Sequence, residues 1–215
     1  MSAGAGMRAG AGMRAETNTL HQRETTVRMN FWDSKWDLDV AQCPCDIHFN
    51  DWVDAEKLTG KTIYHFGTGT HHVIGIRQAT NGSNNVVFGI TASPGEYNTY
   101  IQLVTERPQI SKSYLCYFGD IYLTNPRLLP AFDIVALFHL GEFIDESTTS
   151  PEYGGLSDLG VTRALLENTR PGGNVLIYSE SFAHDRAEAV AAELEAAKEI
   201  AFVGKFEKLL VYRKM

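Results

Sequence analysis

Apolar and polar positions alternate in blocks over residues 61–215 of the chain. Ile63, Tyr64 and Phe66 make a short apolar run, Gly67-Thr68-Gly69 interrupts it, and Val73, Ile74 and Ile76 resume at helical spacing. This predicts a strand, a tight glycine turn and a helix start. Glycine lets the backbone turn sharply and approach a ligand, while the helix start offers N–H groups without intrahelical partners. The continuous run Val86–Ile90 after the turn cluster 81–85 predicts a second strand, buried on both faces as in a parallel sheet. Ser93-Pro94-Gly95-Glu96 has a cap, an initiating proline and an acid at the third helical position, which predicts a helix to about Arg107.

The same reading continues downstream. Tyr114–Phe118 is a third strand, Asn125–Leu129 a short helix or turn, and Ala131–Leu140 a fourth strand. Residues 146–154 are polar and turn-rich, a candidate mobile loop. Leu156–Arg170 is helical and ends at Pro171-Gly172-Gly173, with Asn174–Ser179 as the fifth strand. Ala183–Lys198 is an amphipathic helix, and the segments 199–204 and 208–212 lie so close together that they predict an antiparallel hairpin. Alternating strands and helices imply a parallel sheet with right-handed crossovers, whose ligands sit at the carboxyl ends of the strands.

Three domains are expected. In residues 1–15 the segment AGAGMRA occurs twice and no large apolar anchor is present, so they are read as a disordered tail. Met7, Met13 and Met29 are alternative candidate starts. Residues 16–60 are expected to form a helical cap, with Phe31, Trp32 and Trp36 on a short amphipathic helix that packs on the sheet or closes over a pocket. Residues 61–215 form the α/β domain.

Composition narrows the function. A formal net charge of −7 argues against a broad nucleic-acid surface, which needs clustered cations. No apolar run reaches the length of a membrane span. Three cysteines give no disulfide framework and point to a reducing, cytoplasmic setting. Cys43-Pro44-Cys45 with His48 begins a metal-ligand pattern but lacks a second ligand pair nearby, so ordinary turn cysteines and no metal are expected.

The segments HFGTGT (65–70), FGITAS (88–93), Gly119-Asp120, FDIVALFHLGE (132–142), LLENTRPGGNVLI (165–177) and the terminal hairpin together resemble the class I S-adenosylmethionine-dependent methyltransferases. The resemblance covers roughly residues 60–215. It implies a Rossmann-like three-layer sandwich with a mostly parallel seven-stranded sheet and a C-terminal antiparallel hairpin. It also implies S-adenosylmethionine as cofactor and methyl transfer to a small-molecule acceptor, with a homodimer or protein partner possible.

By that resemblance the cofactor contacts come from His65, Gly67, Thr68, Gly69, His71, Thr91, Ser93, Asp120, Ile121 and Phe138. His139 and Glu142, just past the fourth strand, are the candidate catalytic pair, with His139 as base. Glu152 and Tyr153 are expected near the acceptor. Three positions depart from the family pattern. His65 replaces an acid before the first glycine, His71 a third glycine, and Thr91 the acid that holds the ribose hydroxyls, leaving Glu96 as the nearest acid. Such a carboxylate contributes two hydrogen bonds of about 1.5–3 kcal/mol each. Two other classes remain open: a catalytically inactive methyltransferase-like partner protein, and a nicotinamide-dinucleotide enzyme. The second is disfavoured because His72 stands at the third glycine of GxGxxG.

Overall fold

A computed structural model describes residues 27–144 and 150–215. The expected tail at 1–15 and part of the candidate loop at 146–154 lie outside the described residues. Seven strands form one sheet: β1 (Thr62–Phe66), β2 (Val86–Thr91), β3 (Tyr114–Phe118), β4 (Phe132–Leu137), β5 (Thr169–Tyr178), β6 (Ile200–Phe206) and β7 (Leu209–Lys214). Their order is β3-β2-β1-β4-β5-β7-β6. The first five are parallel, β7 runs antiparallel to β5, and β6 and β7 make the hairpin. The helices are α1 (Cys45–Ala55), α2 (Val73–Thr80), α3 (Pro94–Glu106), α4 (Asp158–Asn168) and α5 (His184–Ala196).

The central strands show why the sequence reads as continuous apolar runs. Successive side chains of a strand point to opposite faces. In β1, Tyr64 and Phe66 enter one core with α4 and α5, while Ile63 enters the other with α1, α2 and α3. In β4, Val135 and Leu137 take the first side, Ile134 and Ala136 the second. Both faces are covered, which makes three layers. No helix among the described residues is long and apolar enough to cross a membrane.

Two expectations need correction. Phe31–Trp36 is not helical: residues 27–38 hold no helix or strand, with one bend at Asp33. Their backbone groups bond to the sheet rim instead of to one another. Trp32 N donates to Ala92 O, Thr70 N to Trp36 O and Ser93 Oγ to Ser34 O. The helix of this region is α1, which begins at Cys45 directly after Pro44. The second correction concerns β5, which starts at Thr169 rather than Asn174. Phe132 pairs with Thr169 and Ile134 with Asn174, so Pro171-Gly172-Gly173 is taken up within the strand as a register shift.

Helix α1 is anchored by Phe49, which is fully buried and packs edge-on against Phe138 with ring centroids 5.9 Å apart. Truncating such a ring to alanine costs about 3–5 kcal/mol. The contact docks α1 so that Cys45, at its start, lies beside His139, just past the end of β4.

Candidate functional site

The chain runs outward from β1 through β2 to β3, then returns to place β4 on the other side of β1. The carboxyl ends of β1 and β4 therefore flank the topological switch point, where open α/β sheets bind ligands. A cavity of about 330 Å³ lies there. That is within the range of small-molecule sites. The irregular 27–44 segment forms part of its wall through Trp32, Trp36, Asp37 and Asp39. Trp32 and Trp36 both meet Phe143 edge-on, with centroids 5.2 and 5.4 Å from it.

At the β2 and β3 side the wall is acidic. Glu96, at the third position of α3, turns its carboxylate to Thr91, whose Oγ1 donates to Oε2 at 2.6 Å. Trp36 N donates to Oε1 at 3.3 Å. Burial pushes the Glu96 carboxyl up, against those two hydrogen bonds. Each oxygen has one partner and retains capacity for another. Asp120, just past β3, accepts from Tyr122 N at 2.9 Å through Oδ1 and from Tyr153 Oη at 2.5 Å through Oδ2. Among the described residues, Trp32 Nε1, Tyr178 Oη and Ser181 Oγ are buried without a hydrogen-bond partner, and all three residues line the cavity.

At the glycine turn the wall is made of imidazoles and thiols. Gly67 and Gly69 both have positive φ, +89° and +56°. A Cβ on Gly67 would lie 2.6 Å from His139 Cδ2, and one on Gly69 would lie 2.4 Å from His71 Nε2. The two glycines thus give their space to two histidine rings. Beside them, Cys45 Sγ is 3.5 Å from Cys43 Sγ and 3.8 Å from His139 Nε2. The opposite ring nitrogen, His139 Nδ1, is 3.1 Å from Glu142 Oε2. Burial draws the His139 imidazole down, but its bonds to Cys43 and Glu142 outweigh this and hold it at about 10. The Cys43 thiol is drawn down to about 5, first by its hydrogen bond to Cys45 and then, against burial, by His139.

Behind this cluster sits Asp46, only 2% exposed. Its Oδ1 is 3.3 Å from His65 Nε2 and its Oδ2 3.4 Å from His71 Nδ1. Burial raises its carboxyl, but the facing histidines, His65 first, bring it below its usual value.

The structure brings nine of the expected residues together on the cavity wall: Gly67, Gly69, His71, Thr91, Ser93, Asp120, Ile121, His139 and Glu142. Three others lie behind the wall. His65 is buried against Asp46 and Phe138, Thr68 faces Cys116, and Phe138 packs on Phe49. His72, also considered for ligand contact, points away into the core, where its ring meets Tyr114 Oη at 2.8 Å and Thr99 Oγ1 at 2.9 Å. Burial lowers its imidazole to about 4. Cys43, Cys45 and Asp46 were not among the expected site residues. The signal was present in Cys43-Pro44-Cys45, but its histidine partner is His139, 94 residues from Cys45, and not the nearby His48.

No protein-family model matches the chain, and no curated protein sequence matches it. Solved structures do. A protein from Staphylococcus aureus described as a caffeoyl-CoA O-methyltransferase superposes with a TM-score of 0.59 at 9% identity, over 84% of this chain and 86% of that one. The fold is that of the class I S-adenosylmethionine-dependent methyltransferases. The [4+2]-cyclase SpnF shares this fold at a TM-score of 0.52 and 22% identity, over 81% of this chain. The chain spans 64% of that cyclase's length. A protein from Clostridium thermocellum described as an rRNA methylase matches with a TM-score of 0.51 at 14% identity, over 77% of this chain and 94% of that one. Neighbours with the methyltransferase fold thus include a protein named for cyclisation, so the fold alone does not fix the chemistry.

Proposed function

We propose that the cavity binds S-adenosylmethionine and that the chain transfers its methyl group to a small-molecule acceptor. The observation that carries this reading is the pair of carboxylates, Glu96 and Asp120, on the cavity wall past the ends of β2 and β3. In this reading Glu96 takes over the ribose hydroxyls from the acid that Thr91 replaces, with Thr91 holding its carboxylate in place. Asp120 and Ile121 receive the adenine. Trp32, Trp36 and Phe143 supply aromatic surface suited to a sulfonium cation.

The acceptor is placed at the opposite end, by His139 and Glu142. The sulfonium is already activated, so the chain's main contribution is proximity and alignment for in-line transfer. Glu142 holds the His139 ring at this end of the cavity through Nδ1, so in this reading His139 positions the acceptor. Three free thiols, Cys43, Cys45 and Cys116, are consistent with a reducing compartment, and we place the protein in the cytoplasm.

One observation favours a second reading, a catalytically inactive methyltransferase-like partner protein. The rings of His71 and His139 fill the space above Gly69 and Gly67, where a ligand would otherwise approach the backbone. Calorimetric titration with S-adenosylmethionine and, separately, S-adenosylhomocysteine decides between the two. Micromolar binding of both supports the enzyme. No heat of binding up to millimolar ligand sinks it in favour of the second reading.

A further inference from the structure

The thiols and imidazole at the glycine-turn end of the cavity have a geometry of their own. Cys43 Sγ, Cys45 Sγ and a ring nitrogen of His139 lie within 4.8 Å of one another. A zinc ion about 2.3 Å from each sulfur and about 2.0 Å from a nitrogen, with tetrahedral angles, sets the sulfurs about 3.8 Å apart and sulfur and nitrogen about 3.5 Å apart. The observed separations are 3.5 Å for Sγ–Sγ and 3.8 Å for Cys45 Sγ–His139 Nε2. We propose that Cys43, Cys45 and His139 form a binding site for a divalent, borderline-soft metal ion of the zinc class, with its fourth position open to the cavity.

Four further features fit this site. Ligating histidines donate their other ring N–H to a carboxylate, which orients the ring, and Glu142 stands at His139 Nδ1 in that way, 3.1 Å off. The cysteines flank Pro44 at the N-terminus of the eleven-residue helix α1, so the helix start places both thiols at the His139 ring. Gly67 lacks the Cβ that would strike the His139 ring, so the turn admits the third ligand. Finally, all three ligands line the cavity. Closed structural sites use four protein ligands, whereas three with an open position are the pattern of reactive metal sites. A water, hydroxyl or thiol arriving from the cavity would take the fourth position and lose its proton more readily there.

Metal binding shares His139 with the acceptor end of the methyl-transfer reading, so the test is read without S-adenosylmethionine and its outcome does not depend on methyl transfer. The purified full chain, freed of metal by chelation, is loaded with Zn²⁺ alone and analysed by elemental mass spectrometry. One zinc per chain is expected, with protection of two of the three thiols from a thiol reagent. Loading with Co²⁺ should give thiolate-to-cobalt charge-transfer absorption and tetrahedral d–d bands, and azide should shift those bands by entering the open position. Cys43→Ser and His139→Gln should each weaken zinc binding at least a hundredfold. Circular dichroism confirms that the variants are folded, and the cobalt spectrum of the unmodified chain stands if one of them is not. Substoichiometric zinc, a cobalt spectrum without thiolate bands, or oxidation of Cys43 and Cys45 to a disulfide in place of metal uptake overturns the proposal. Cobalt bands indifferent to azide overturn the open position.

Discussion

The two ends of one cavity are built from different chemistry. Past β2 and β3 the wall offers Glu96, Thr91, Ser93 and Asp120, hard oxygen groups whose hydrogen bonds leave acceptor capacity for hydroxyls and an amino group. Past β1 and β4 it offers the thiols of Cys43 and Cys45 and the imidazoles of His71 and His139, whose rings crowd against two glycines. The same strand-turn-helix architecture serves both. What separates them is which side chains the turn residues admit. A glycine that elsewhere lets a backbone reach its ligand here lets imidazole rings sit against the turn. The lesson is that a glycine turn reports an available space and does not say what fills it.

Selective damage to each end should break the comparison in opposite directions. The largest effect is expected from Cys45→Ser. It should reduce zinc affinity at least a hundredfold in a chelator competition while S-adenosylhomocysteine affinity changes less than about threefold. Parallel loss of both would show one integrated site. Next is Glu96→Gln, which keeps the shape of the side chain but removes its charge. Weakening of S-adenosylhomocysteine by ten- to a hundredfold is expected, from about 1.5–3 kcal/mol of lost charge-assisted hydrogen bonding, with zinc stoichiometry unchanged. Unaltered binding would remove Glu96 from the ribose.

Glu142→Gln touches no metal and acts through His139. A drop of about tenfold in zinc affinity is expected, at the lower end for outer-shell carboxylates. An unchanged affinity would make the His139–Glu142 contact a packing accident. The smallest effect is in pH. Burial raises the Glu96 carboxyl, and the ionised form is the one that accepts from two hydroxyls. Acidification should therefore weaken S-adenosylhomocysteine starting above the ordinary glutamate range near about 4.3, by at most about tenfold per pH unit. Calorimetry across pH 4.5 to 8 reads this, and Glu96→Gln should flatten it.

Much of the fold was legible because local and global signals agreed. β1 and β4, in the middle of the sheet, are buried on both faces and so appear as unbroken apolar runs, whereas the edge strand β3 keeps an apolar run although Leu115 and Phe118 are exposed. The Ser93 cap accepts from Glu96 N as its sequence pattern implies. Segment 27–38 was misread because its aromatic spacing suits a helix, whereas its backbone bonds go to Ala92, Thr70 and Ser93 across the sheet rim, a tertiary demand that spacing does not encode. The start of β5 was hidden because Pro171-Gly172-Gly173 marks a break locally, yet the ladder with β4 resumes on both sides of it.

The site divides in the same way. Thr91, Ser93, Asp120 and His139 were legible because the topology places strand ends on one rim. Glu96 was visible as the acid nearest Thr91, but the 2.6 Å bond that links the two was not. The thiol cluster was out of reach, because its ligands come from the two sides of β1 in sequence and meet only after α1 docks through Phe49 on Phe138. The aromatic contact between His65 and Phe138 lies in the same packed layer, which is why two expected cofactor residues ended behind the wall.

The most direct test of the divided cavity is one crystal structure of the zinc-loaded chain with S-adenosylhomocysteine, with anomalous data collected at the zinc edge. The account predicts ribose hydroxyls on the Glu96 carboxylate, adenine beside Asp120 and Ile121, and a single anomalous peak among Cys43, Cys45 and His139. A nucleoside seated at the cysteines, or an anomalous peak anywhere else, would contradict it.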